Sequence, residues 1–216
     1  MFKHPHMAHF LASAMAAAAA PIDDYVHYAH KLQQQEGSLN SLPAAYRRLP
    51  SLCLEAVKSC RLALAHVPDG LRTADLCEAA VRYEGLALRY VPEPLRTLAL
   101  CELALQNDGT ALVYVPEALR TADLYLLAVK KGFVLQYVPE ASRTELLCLA
   151  AVINNGLALQ YVPYALRLPH LCLAAVKNNG FALQDVPLHL RTDSLCAAAV
   201  ASQRRAMAFV PPDYCI

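Results

Sequence analysis

Apolar and polar positions recur along this chain with a long period. The pair Val-Pro places its proline at Pro68, Pro92, Pro116, Pro139, Pro163, Pro187 and Pro211, a step of 24 residues except once, where it is 23. Internal periodicity in this range marks a stacked array of supersecondary units. The consensus unit reads V-P-E-A-L-R-T-x-x-L-C-L-A-A-V-x-x-N-G-x-A-L-x-Y. Thr73, Thr97, Thr121, Thr144 and Thr192 stand where a hydroxyl accepts from the free N–H groups of a following helix. Asp75, Asp123, Glu145 and Asp193 suit the first turn of that helix electrostatically. The helix continues through "LCLAAV", whose apolar residues recur at i+3 and i+4. It is expected to stop at Gly85, Gly109, Gly132, Gly156 and Gly180, since glycine tolerates a left-handed helix end. "LALQYV" then reads as a short helix, with a strand as the alternative because Tyr and Val favour sheets. Proline opens a separate turn, "PEALR".

The single 23-residue step has a local origin. "AVKKG", Ala128 to Gly132, lacks one residue relative to "AVKNNG", Ala175 to Gly180. A deletion at the helix end leaves the buried Leu and Val in register, whereas one inside "LCLAAV" would rotate the apolar face by about 100°. A degenerate first copy begins at Leu42-Pro43. The expected organisation is an Ala/His-rich leader over 1–20, a capping helix over 21–41 with Ile22, Tyr25, Ala29 and Leu32 at helical spacing, and a repeat array over 42–216. The fold class is all-α: a solenoid-like stack of about seven 24-residue units, each with one main helix, a short helix and a turn.

Composition modifies this picture in one respect. The chain is 56% hydrophobic and 17% charged, with no Trp and a mean hydropathy of +0.29, which raises the question of a membrane. The longest nearly apolar stretch, Phe10 to Ile22, is Ala-rich, ends near Pro21 and is shorter than the roughly 20 residues a transmembrane helix needs. No membrane span is expected. The same stretch, preceded by Lys3, has the outline of a signal-peptide apolar region, but one lysine and an alanine run favour a plain leader. Stacking explains the hydrophobicity instead, because an interior helix flanked by neighbours is apolar around most of its circumference. The net charge of +1 gives no electrostatic case for nucleic acid as a partner.

Three residue types recur in fixed slots. Cys53, Cys77, Cys101, Cys148, Cys172 and Cys196 share one position, which Tyr125 takes in the remaining unit. Stacked helices lie about 8–10 Å apart, too far for the roughly 7 Å limit of a disulfide, so these are read as small buried apolar residues. Free thiols favour a reducing, cytoplasmic compartment. Cys60 near His66 is read as a helix-end thiol beside a loop histidine rather than a nucleophile pair. Asp23, His27 and His30, with His4, His6 and His9, have ligand-compatible spacing, but capping and surface roles are favoured over a metal site. No cofactor is expected.

The second series is Arg72, Arg96, Arg120, Arg143, Arg167 and Arg191, with Arg47 in the first copy. Asp69, Glu93, Glu117 and Glu140 precede the first four at a pairing distance. Tyr164 and Leu188 replace the acid before Arg167 and Arg191. A candidate anionic-partner surface therefore comprises Arg167, Arg191, Arg204 and Arg205, and the helix-end lysines Lys130, Lys131 and Lys177 extend the list of candidate binding residues. Pairing within the turn or plain solvation is the favoured role of the arginines, and guanidinium groups can also cap neighbouring carbonyls. The third series, Tyr90, Tyr114, Tyr137 and Tyr161, passing to Asp185 and Phe209, reads as a packed column. The helix ends Arg82 to Glu84, Gln106 to Asp108, Ile153 to Asn155 and Lys177 to Asn179 vary between units and are the expected place for binding specificity.

"AVKNNGFALQDVP" and "AVINNGLALQYVPYALR" resemble a short helical repeat family known as a bacterial domain of unknown function, with an A-V-x-x-N-G-x-A-L-x-Y core. The resemblance covers about residues 50 to 211. It implies an all-helical array in a bacterial protein, in a family that includes suspected secreted effectors, and it carries no catalytic motif. Regular Pro in "VPE" and Cys in the helix depart from the family's usual pattern. The expected function is a non-enzymatic, monomeric scaffold with a protein partner. The alternatives are an anion or nucleic-acid binder using the arginines and, far behind because no catalytic signature is present, an enzyme.

Overall fold

A computed structural model describes residues 22–34, 38–60 and 62–212. The leader over 1–20, with His4, His6 and His9, and Cys215 lie outside the described residues. The chain divides into two compact units, Met1–Asn107 and Asp108–Ile216.

Each unit is all-helical and built from the same layers. The first contains α1 (Ile22–Gln33), the one-turn α2 (Ala44–Arg47), α3 (Pro50–Ser59), α4 (Ala74–Tyr83) and α5 (Leu98–Asn107). The second contains α6 (Ala122–Lys131), α7 (Glu145–Asn154), α8 (Pro169–Asn178) and α9 (Asp193–Ser202). Between successive main helices lie a longer 3₁₀ helix, such as Gly156–Tyr161, and a three-residue one, such as Tyr164–Leu166. Within each unit consecutive main helices pack side by side, as do the long 3₁₀ segments behind them. The array is thus a stack of helical repeats, and no described segment is a strand.

Two periodicities generate the core. The main helices bury residues at i, i+1, i+4 and i+5, typically Leu, Cys, Ala and Val as in Leu147, Cys148, Ala151 and Val152, with Tyr125 in the Cys slot of α6 and Leu105 in the Val slot of α5, a single stripe at the α period. In "GLALQYV" Gly156, Leu159 and Val162 are buried three residues apart, the period at which side chains of a 3₁₀ helix eclipse, and Ala158 beside Leu159 is buried as well. The short helix expected there is therefore 3₁₀ rather than α, and the strand alternative is wrong. Each proline precedes its three-residue turn in an extended conformation; Pro163 has φ −51° and ψ 138°, and its carbonyl accepts the first bond, from Leu166 N–H at 2.9 Å.

Caps follow the threonines. Thr73, Thr97, Thr121, Thr144 and Thr192 each accept from the backbone N–H three residues on, at 3.3–3.4 Å. In α8 the slot holds Leu168, and Pro169 opens the helix instead, where its missing N–H costs no hydrogen bond. At the start of the first unit α1 lies against α3, burying Tyr25 and Leu32 with Ala29 half-buried. Tyr46 Oη donates to Asp24 Oδ2 at 2.9 Å.

The glycines act differently from expectation. The main helix ends one residue earlier on an extended residue, as at Asn155 with φ −148° and ψ 112°, and the glycine opens the 3₁₀ helix. Its lack of a side chain is required by a neighbour: a Cβ on Gly156 would stand 2.3 Å from Ala175 O and 2.9 Å from Asn179 N. Gly109 and Gly180 meet Ala128 O and Ala199 O in the same way. Each glycine thus lets the helix end of the next layer approach the backbone.

The one-residue deletion is absorbed at this joint. In α6 Gly132 itself takes the helix C-cap, with φ −158°, and the following 3₁₀ helix shrinks to Leu135–Tyr137. Val134 and Leu135 remain buried, so the core register survives. No helix among the described residues is long and apolar enough to cross a membrane.

Gly156→Ala is expected to destabilise the second unit by about 2–3 kcal/mol, because the clash is with backbone that cannot rotate away. Gly70→Ala meets nothing within 4 Å and should stabilise slightly, by about 0.5 kcal/mol, through the unfolded state. Urea denaturation of both variants checks the contrast.

Candidate interaction surface

The repeated polar residues are largely committed to the backbone. A chain that passes from α to 3₁₀ to turn leaves carbonyls without intrahelical partners, and buried unpaired carbonyls are costly. Arg143 Nε donates to Val138 O at 2.9 Å and its Nη1 to Tyr161 O at 2.7 Å. One guanidinium thereby joins its own turn to the next layer. Arg72 spans Val67 O and Tyr90 O in the first unit. In the second unit Arg167 binds Val162 O, Asp185 O and Gln160 O, and Arg191 binds Val186 O, Phe209 O and Gln184 O. Arg120 and Arg96 make the same first bond, to Val115 O and Val91 O. Asp69 pairs with Arg72 at 3.0 Å. Both Arg167 and Arg191 are half-buried, with three donor atoms each directed at carbonyls.

A second clamp, missed in the sequence, uses the last residue of the main helix. Asn178 Nδ2 donates to Ile153 O at 2.9 Å while its Oδ1 accepts from Gly156 N–H at 2.7 Å. Asn154 reaches Val129 O, and Asn107 reaches Val81 O and Arg82 O. The next residue caps its own 3₁₀ helix: Asp108, Asn155 and Asn179 accept from the N–H two residues on. The phrase N-N-G is thus clamp, cap and close approach in succession. Several helix-end residues expected to carry specificity are structural for this reason.

The cysteines of the series are free thiols, fully buried. Burial pushes Cys53 up to about 11, and it does the same to Cys148 and Cys172 against the lowering influence of Arg143 and Arg167. Such thiols are neutral and unreactive at pH 7. Cys60 is half-buried. Among the described residues no group of three or more His, Cys, Asp or Glu could hold a metal ion.

What remains is the outer face of the main helices. Each helix turns its second, fifth, sixth and ninth residues away from the core, and in the first unit the fifth and ninth slots of α4 and α5 hold Glu78, Glu102, Arg82 and Gln106, all exposed. In the second unit the fifth slot holds Leu126, Leu149 and Leu173 in three successive helices. On α7 the whole outer face is apolar, with Leu146 67% and Ile153 60% exposed and Leu149 and Ala150 half-exposed. α6 and α8 pack on either side of it. Their helix ends are level, since Asn154 and Asn178 each clamp the preceding helix end and His170 Nε2 lies 3.1 Å from Glu145 Oε1 at the opposite end.

This face collects some of the candidate residues and not others. Lys130 and Lys177 occupy the slot of Ile153 on the two flanking helices and are exposed, with Lys131 beside them. At the other end stand the exposed Asp123, Glu145 and His170. Arg204 and Arg205 are exposed on a separate element, the 3₁₀ helix Arg204–Phe209. Comparing the fifth slot along the sequence (Leu54, Glu78, Glu102, Leu126, Leu149, Leu173, Ala197) would have revealed three successive leucines after two glutamates.

A second departure from the repeat opens a shallow cleft of about 460 Å³ lined by Tyr164, Arg167, Asp185, Leu188 and His189. Asp185 stands in the tyrosine slot, and its Oδ2 is buried without a hydrogen-bond partner. Burial raises its carboxyl above the ordinary range, and Arg167, Gln184 and Arg191 offset this only in part.

Arg143→Lys is expected to cost about 2 kcal/mol, because an ammonium cannot span two carbonyls in the planar fork geometry; chemical denaturation measures it. Asp185 binds its proton more tightly in the folded chain, so its contribution is most favourable below the unfolded carboxylate value near 3.9 and worsens as pH rises through the folded value. Asp185→Asn should therefore raise stability at pH 7 by about 1 kcal/mol, with the advantage vanishing below about pH 4, in urea titrations at both pH values.

No family model matches the sequence, no curated protein matches it, and no solved structure matches the fold.

Proposed function

We propose that this protein is a non-enzymatic binding scaffold whose partner-facing surface is the outer face of α6, α7 and α8. The observation that carries the reading is the exposed apolar face of α7, bordered by Lys130 and Lys177. Exposed apolar patches of a few hundred Å² commonly mark interaction sites on soluble proteins. The fifth and ninth slots of α4 and α5 hold charged or polar residues instead, so an apolar row there is not a demand of the repeat. Arg167 and Arg191 contribute to this reading by holding layers together rather than by meeting a ligand. That also weighs against the arginine series as a nucleic-acid surface, because a guanidinium whose donors are spent on carbonyls presents little to a phosphate. The resemblance to a bacterial helical repeat family fits a scaffold, and the neutral buried thiols fit a reducing compartment.

A photo-crosslinking residue at Ile153 is expected to yield protein adducts in cells that express the full chain. The same probe at Arg82, the equivalent ninth slot of α4, should yield few. Equal labelling from both positions, or none from Ile153, rejects the assignment of this face.

A further inference from the structure

We infer that the occupant of the α6–α8 face is a second copy of this chain, docked across a two-fold axis that sets the two α7 helices antiparallel. The inference rests on the reading of this face as the interaction surface and adds the identity of what covers it. It is carried by the arrangement of charge about the apolar centre. The three helices form a small grid: Asp123, Leu146 and His170 in one row, Leu126, Leu149 and Leu173 in the next, and Lys130, Ile153 and Lys177 in the last. Glu145 lies beside His170 at the first row. The face is therefore acidic at the helix N-termini of α6 and α7 and basic at the C-termini of α6 and α8. About seven residues of helix, roughly 10 Å, separate the two ends.

A face with its charges divided this way can meet itself in two symmetric ways. With the axis parallel to α7, the helices of both copies run in the same direction, α6 covers the partner's α8, and Lys130 meets a second lysine, Lys177. With the axis in the interface but perpendicular to α7, each helix covers its own equivalent in reverse. Lys130 then faces Asp123 of the other copy, and the exchange is repeated by symmetry. Lys177 faces the end that carries Glu145 and His170. Leu146, Leu149 and Ile153 pack against the same residues in opposite order, and like charges are kept apart. The second arrangement pairs Lys130 with Asp123 twice and sets Lys177 against the His170–Glu145 pair instead of against a second lysine.

The area sets the strength. Three helices about 15 Å long at about 9 Å spacing present roughly 400 Å² per copy. That is about 800 Å² in total, below the roughly 1,200–2,000 Å² of specific, stable interfaces, so the association is weak and transient, with an expected Kd of roughly 100 µM.

Sedimentation equilibrium of the full chain between about 10 and 500 µM should show a monomer–dimer equilibrium. Ile153→Glu, exposed and so neutral to folding, should abolish dimers at all concentrations. Lys130→Asp and Asp123→Lys should each weaken association by roughly fivefold, while the double variant restores it to within about twofold of the native chain; unchanged thermal melts confirm that folding is intact. A chain that stays monomeric to about 500 µM overturns the inference, as does a dimer indifferent to Ile153→Glu or a double variant weaker than both singles. If the native chain is monomeric while the Ile153 probe still labels other proteins, the self-association fails and the interaction face stands. If the probe labels nothing and the chain is monomeric, both fail.

Discussion

Every joint between layers leaves backbone carbonyls that no helix can satisfy, and the structure of this protein is organised around supplying donors to them. The main helix ends on an extended residue, a 3₁₀ helix follows, and an extended Val-Pro breaks it again. Each change of backbone state strands polar groups near an apolar core. Arginine answers at one edge of the layer and asparagine at the other, each bridging two successive layers. A guanidinium suits the first task because its planar fork reaches several acceptors at once. An asparagine amide suits the second because it donates to one layer while accepting from the other.

This constraint accounts for features that are otherwise unrelated. Glycine is needed at the head of the 3₁₀ helix because the clamp draws the next helix end onto the backbone there. Cysteine fills a slot that admits a small apolar side chain, and Sγ adds weak bonds at Arg47 O and Arg167 O. The loss of one residue before Gly132 is tolerated because it shortens the 3₁₀ segment and leaves the core stripe of α6 untouched. The polar groups that look most functional in a list of residues are thus the ones most occupied with the fold.

Functional freedom lies in the slots that neither core nor clamp uses. The fifth and ninth positions of α4 and α5 are occupied by charged or polar residues, as solvated positions ordinarily are. Those of α7 are occupied by leucine and isoleucine, which water does not favour and which packing within the unit does not require. Asp185 is the other departure, a carboxylate in a tyrosine slot with an oxygen left unpaired. Both departures fall in the second unit.

From the sequence alone, the period, the threonine caps, the all-helical class and the buried cysteine series could be determined, because each rests on local chemistry or on side-chain periodicity. The tertiary structure decided what depends on contact between residues 18 to 26 positions apart. It gave the arginines and asparagines their carbonyl partners, showed the glycines to be sites of close approach rather than left-handed caps, and made the second helix 3₁₀. It also showed that a main helix buries one stripe only. Stacking therefore accounts for the Leu, Cys, Ala and Val of α7 but not for Leu146 and Ile153, because a hydrophobic pattern records which residues are apolar and only packing decides which of them meet water.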